Sequence, residues 1–185
     1  MTAARLRWLV LSAGVLLLDQ ITKSLIRARL PLHDSESIVP GLFSLTHVTN
    51  RGALFGLLHD LPDPWRAVLF TVVPFAAILL ILYFQGRTAP ADRLAHGGLA
   101  LILGGAAGNF LDRLRLGYVV DFLDVYAGEH HWPAFNVADS AICIGVGLLI
   151  LDLLRPHRRP AAAAALVAPS DLPPNHGSAN APGPV

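Results

Sequence analysis

Four runs of apolar residues, at about 8–28, 65–84, 95–116 and 136–154, reach the roughly 20 residues a helix needs to cross a bilayer. Between the first and second runs the pattern changes character. From Glu36 to Asn50, Ile38, Val39, Leu42, Phe43, Leu45 and Val48 are spaced among polar residues around a Pro40-Gly41 turn signal, which predicts a short β-hairpin. Gly52 to Leu58 is apolar with small residues and ends at Pro62-Asp63-Pro64, the pattern of a short helix lying at a membrane surface. Beyond Arg155 the chain turns to Pro, Ala, Gly, Ser and Asn without hydrophobic periodicity, so residues 156–185 read as a disordered tail. The expected fold is an all-α integral membrane domain over 1–155, with outer loops at about 31–64 and 117–135.

Composition agrees. Of 185 residues, 54% are hydrophobic and 15% charged, which is wrong for a soluble globule of this length. A net charge of +1 gives no argument for nucleic acid, and the single cysteine, Cys143, excludes a disulfide framework or a CxxC site. Cys143 itself reads as a small buried apolar residue. The first run has a basic start like a secretory signal, but it is too long and carries Asp19 and Lys23. Arg5 and Arg7 precede the first helix, Arg87 and Arg93 join the second to the third, and Arg155, Arg158 and Arg159 follow the fourth. The loop from Pro31 to Pro64 holds only Arg51 and that from Gly117 to Asn136 no Lys or Arg, so both termini are expected in the cytoplasm.

Helical spacing then sorts the polar groups that the apolar runs carry. Asp19 and Lys23 are four apart and can pair, which lowers the cost of either in lipid and marks them as architecture. Gly105, Gly108, Asn109 and Asp112 share a face of the third helix, with Arg113 beside them and able to meet a carboxylate. Asn136, Asp139 or Ser140, Cys143 and Gly147 make a comparable stripe on the fourth. The GxxxG pattern in Gly104–Gly108 means close helix contact, not a phosphate loop. Asp121, in Val119-Val120-Asp121-Phe122, and Asp139 stand at the same predicted membrane face, and two carboxylates sharing a site are the minimum for acid–base hydrolysis. Asp124 reads as a solvated loop carboxylate, Ser140 as a hydroxyl bonded to its own helix, and His130 and His131 as exposed loop residues, not a metal site.

Five motifs in order carry a resemblance. Leu18-Asp19-Gln20-Ile21-Thr22-Lys23, Asn50-Arg51-Gly52-Ala53-Leu54-Phe55, Gly104 through Arg113, Val120-Asp121-Phe122 and Phe135-Asn136-Val137-Ala138-Asp139-Ser140 resemble the lipoprotein signal peptidase family, the type II signal peptidases, over about residues 8–155. The resemblance implies an aspartic endopeptidase of the bacterial cytoplasmic membrane that cuts prolipoproteins just before a diacylglyceryl-modified cysteine. It implies Asp121 and Asp139 as the catalytic pair, Asn50, Gly52, Asn109, Arg113, Asn136 and Ala138 as lining or supporting the site, and Asp19, Lys23 and Asp112 as holding its architecture. It also implies no metal or other cofactor, a site near the outer face, lipid and prolipoprotein as partners, sensitivity to globomycin-type peptides, and a small sheet in the outer loop that cradles substrate. The Pro/Ala-rich tail is outside the family pattern.

Two carboxylates a few ångströms apart do not both ionise easily, so one can serve as base and the other as acid in the attack of water on the scissile carbonyl. Which takes which role stays open at this point. A competing scheme makes Ser140 the nucleophile and Lys23 its base, although a lysine paired to Asp19 stays charged and serves badly. A non-enzymatic alternative, a proton or ion relay, predicts polar groups across the whole bilayer depth, whereas the inner halves of the four helices read as nearly pure apolar. The chain has no Gly-Asp pair of the Gly-x-Gly-Asp intramembrane proteases. Nor do Asp112, Asp121 and Asp124 share one helical face across the Gly117 break, as a metal-dependent phosphotransferase would want.

Overall fold

In the computed structural model of the protein, residues 3–52 and 63–155 are described. The surface helix expected at Gly52–Leu58 and the tail at 156–185 lie outside them but for Gly52. Four helices account for the apolar runs: α1 (Ala3–Arg29), α2 (Asp63–Arg87), α3 (Arg93–Leu116) and α4 (Val137–Leu153). Among the described residues the first three contain segments long and apolar enough to cross a membrane, Leu6–Arg29, Val68–Arg87 and Arg93–Leu116. With 17 residues α4 is shorter, about 26 Å at ~1.5 Å per residue. Large apolar side chains such as Leu17, Ile21, Val72, Leu79 and Ile150 face outward, as they must where lipid replaces water.

The hub is α3, which packs against all three other helices. Its glycines make this possible: a β-carbon on Gly104 would come within 2.6 Å of Ser12 O on α1, and one on Gly105 would run into Ala138 O on α4. Small residues at these crossings let backbones approach, the association mode expected where hydrophobic transfer no longer distinguishes contact from lipid. The helix stops at Gly117, whose φ of 78° is left-handed and whose N–H caps Arg113 O at 3.1 Å.

The expected hairpin forms as β1 (Ser35–Val39) and β2 (Phe43–Asn50), but the sheet is larger than the sequence reading. The segment after Gly117, expected as a loop, is the strand β3 (Val119–Ala127), antiparallel to β2, and a two-residue strand β4 (His130–His131) completes the order β1-β2-β3-β4. Val119-Val120-Asp121-Phe122-Leu123-Asp124-Val125-Tyr126 is rich in β-branched and aromatic residues, and that signal was present in the sequence. Val120 and Phe122 pack with Ile26 in a core that Leu30, Leu45, Leu116 and Val137 extend, which seats the sheet on the ends of α1, α3 and α4.

Three further readings change. Cys143 is exposed, not buried. Asp124 belongs to β3, half-buried, with His131 Nδ1 2.9 Å from its Oδ1. The helix ends far from the sheet are not purely apolar either: Ser12, Gln85 and His96 are buried there, Ser12 Oγ bonds Ala100 O at 2.9 Å, and His96 stacks on Trp8. Interhelical packing shelters these groups, which a hydropathy reading of single helices does not register.

Candidate active site

A polar layer lies at the end of the helix bundle that carries the sheet, and it begins with a lysine. Lys23 is the only lysine of the chain and is 2% exposed. Its Nζ has three acceptors: Asp19 Oδ2 at 2.8 Å, Asp112 Oδ2 at 2.9 Å and Asn109 Oδ1 at 2.9 Å. An ammonium has three protons, so all are used and no lone pair is left to act as a base. The expected Asp19–Lys23 pair is therefore one edge of a larger network. Arg113 is within ion-pair distance of no carboxylate among the described residues, although the charges of Asp139, Asp121 and Asp112 act on it; it donates to Asn109 O at 3.4 Å and lies over the Phe70 ring.

The two acidic anchors do separate jobs. Asp19 Oδ1 accepts from Ala138 N at 2.9 Å, so a carboxylate on α1 satisfies an orphan amide in the first turn of α4 and favours that positive helix end. Gly108 leaves room for it, since a β-carbon there would sit 2.5 Å from Asp19 Oδ2. Asp112 Oδ1 accepts from Gln20 Nε2 at 2.9 Å and its Oδ2 from Val120 N at 3.4 Å, which ties the start of β3 to α1. Gln20 stood inside the first motif but was not singled out as a site residue.

Asp139 and Asn136 form a capping box at the start of α4: Asn136 Oδ1 accepts from Asp139 N at 3.0 Å, and Asp139 Oδ2 from Asn136 N at 3.3 Å. This arrangement satisfies two orphan amides reciprocally and fixes the direction in which Asp139 points. Its Oδ1 then accepts from Asn109 Nδ2 at 2.7 Å. Asp121 reaches the same place from β3. Phe135 pairs with Leu123, its carbonyl accepting from Phe122 N and Leu123 N at 2.9 and 2.8 Å, and so the chain returning from β4 is laid alongside β3. Asn136, fully buried, follows directly and donates through Nδ2 to Asp121 Oδ1 at 2.7 Å.

The two aspartates line one cleft of ≈ 510 Å³ with Asn50, Arg113, Trp132, Phe135, Ser140 and Cys143. Asp121 is 4% exposed, and burial pushes its carboxyl up from 3.8 to about 6, helped by the charge of Asp139 and opposed by hydrogen bonds from Asn136 and Asn50. Asn50 also folds back on its own chain, accepting from Gly52 N at 2.8 Å. Gly52 has φ of 99°, and any β-carbon there would overlap the Phe70 ring. Phe70, whose ring lies against Gly52 and 5.6 Å from the Arg113 guanidinium, is a neighbour of the site that the sequence reading missed. Ser140 behaves as expected, its hydroxyl bonded to Asn136 O at 2.9 Å.

The profile of the family described as signal peptidase (SPase) II matches residues 11–155. The chain belongs to the signal peptidase II family. A lipoprotein signal peptidase of Geobacter sulfurreducens is 49% identical over 80% of this chain and 91% of its own. One of Solibacter usitatus is 44% identical over 84% of this chain and 96% of its own. Among solved structures, a bacterial membrane enzyme superposes with a TM-score of 0.71 at 30% identity, covering 80% of this chain and 93% of its own. The signal peptidase II chain is thus a membrane-embedded protease, and the cleft shared by Asp121 and Asp139 lies within the matched span.

Proposed function

We propose that Asp121 and Asp139 are the catalytic dyad of an aspartic endopeptidase that hydrolyses prolipoproteins at the bond preceding a diacylglyceryl-modified cysteine. The observation that carries this is the convergence of the two carboxylates, from a strand and a helix, on one cleft, with Asn136 donating to both, through Nδ2 to Asp121 and through its backbone N–H to Asp139. Asp139, held by Asn109 and its capping box, is the base: it takes a proton from a water as the water oxygen attacks the scissile carbonyl carbon. Asp121, whose carboxyl holds its proton up to about pH 6, is the acid, and it donates to the departing amide nitrogen as the C–N bond breaks. The proton lost from Asp121 is replaced by the one Asp139 gained, so the pair returns to one shared proton.

The cytoplasmic membrane, four spans with both termini inside and a cleft near the outer surface complete this reading. Support comes from the basic loops at one side and the sheet at the other. The acyl chains of the substrate would hold the cysteine at the interface, where the bond meets the dyad at high effective concentration. A peptidase domain over 1–155, an appended tail over 156–185 and binding of globomycin-type peptides in the same cleft belong to the proposal. The test is cleavage of a diacylglyceryl-modified prolipoprotein by Asp121→Asn and Asp139→Asn proteins of unchanged thermal stability or better. Loss of cleavage in both is expected, and turnover surviving in either removes that aspartate from the chemistry.

A further inference from the structure

On the face of α1 and α3 next to Lys23, a small pocket of ≈ 60 Å³ has Gln20, Lys23, Ser24, Arg27, Asp112 and Arg115 as its polar lining, closed by Leu116 and Val120. Lys23 is shared between Asp19 and Asp112 at 2.8 and 2.9 Å and gives its third proton to Asn109, so it has no donor left for a ligand. Arg27 and Arg115, in the last turns of their helices, are exposed and have no carboxylate partner among the described residues. Two guanidinium groups with five donors each, beside a hydroxyl and an amide, make a recognition set for a phosphate oxyanion.

A second feature adjoins this pocket. Gln20 and Ser24 also belong to a groove of ≈ 360 Å³ whose remaining walls are Leu17, Ile21 and Leu25. These three recur at four-residue spacing down α1, away from the arginines and toward the middle of the helix, and are 46–61% exposed. A polar, cationic head and an apolar furrow sharing two residues match the two halves of one molecule.

We propose that this composite site binds an anionic phospholipid, its phosphate between Arg27 and Arg115 and one acyl chain along Leu17, Ile21 and Leu25. The site is separate from the cleft of Asp121 and Asp139, with which it shares no lining residue. The Gln20–Asp112 and Asp112–Lys23 contacts form its back wall, so a bound lipid also braces the junction of α1, α3 and β3.

The experiment is native mass spectrometry of the full chain released from detergent, with phosphatidylglycerol and phosphatidylcholine of identical acyl chains in competition, followed by thermal unfolding with each lipid. Two arginines without a carboxylate partner among the described residues predict a preference of about tenfold or more for phosphatidylglycerol. It should fall toward parity in Arg27→Gln/Arg115→Gln and return in Arg27→Lys/Arg115→Lys, while Ile21→Asp weakens retention of both lipids. Equal retention of both lipids by the wild type, or a preference surviving in the glutamine variant, overturns the site. Inorganic phosphate or glycerol phosphate raising the unfolding temperature as much as the lipid does, with Ile21→Asp unchanged, overturns the acyl half and leaves a free-phosphate site.

Discussion

Asn136 donates its side-chain amide to Asp121 Oδ1 at 2.7 Å and its backbone N–H to Asp139 Oδ2 at 3.3 Å, so one buried asparagine sets both carboxylates. Asp121 takes this geometry from outside its own element, and Asp139 takes it from the cap of its own helix. Asp121 lies on a strand and Asp139 in the first turn of a helix. A residue that is both helix cap and hydrogen-bond bridge should be felt twice on removal.

Asn136→Ala is expected to lower turnover by about a hundredfold, the scale of a misplaced catalytic group, and to cost about 1 kcal/mol of stability from the lost cap. Cleavage rates and urea unfolding in detergent read the two effects separately. Wild-type turnover with a weakened fold would reduce Asn136 to a cap.

Lys23→Ala should be far more damaging to the fold than to any single step of chemistry. It leaves Asp19, 0% exposed, and Asp112, 3% exposed, without their cation. Removing one partner of a buried ion pair costs about 3–5 kcal/mol. Adding Asp19→Asn to Lys23→Ala should cost less than the two single losses combined, and strict additivity would show that the pair is not coupled.

Ser140→Ala should retain turnover within about threefold, because its hydroxyl is engaged by its own helix and Lys23 has no free lone pair. Abolished cleavage in a folded Ser140→Ala protein would revive the serine–lysine scheme.

Close packing makes its own forecast at Gly108. A methyl group there would press on Asp19 Oδ2 and Cγ at 2.5 and 3.1 Å. Gly108→Ala is expected to lower stability by about 1–3 kcal/mol, the usual cost of overpacking. A variant as stable as wild type would show that Asp19 can retreat without losing Ala138 N.

The helices, the hairpin and the polar stripe were legible because periodicity and the expense of charge in lipid act locally, on residues three and four apart. Asp19–Lys23 is such a pair and was read directly. What spacing along one element does not reveal is contact across elements. The bond from Ala138 N to Asp19 spans 119 positions and that from Asn109 to Asp139 spans 30, and no periodicity encodes either. β3 lies in the stretch expected as an outer loop because the strand is completed by pairing with β2, a contact between distant segments that the β-rich composition around Asp121 does not specify alone. Phe70 was missed because an aromatic in an apolar helix looks like any lipid-facing residue until Gly52 and Arg113 are seen against it.

The burial of Asp121 has a consequence for stability that separates it from an ordinary carboxylate. In the unfolded chain it titrates near 3.8, and in the fold near 6. The native state therefore binds this proton more tightly, so the stabilisation is fully present below 3.8 and is lost as pH rises through about 6. At 1.36 kcal/mol per pH unit the interval amounts to about 3 kcal/mol. Asp121→Asn keeps an acceptor for Asn136 and never ionises. Its advantage in unfolding temperature over wild type should be small at pH 4, grow between pH 4 and 6, and level off above 6, while cleavage is lost throughout. An advantage that is flat from pH 4 to 8, or that shrinks as pH rises, would mean that burial of the Asp121 charge does not oppose folding and would remove the reason for assigning it the proton.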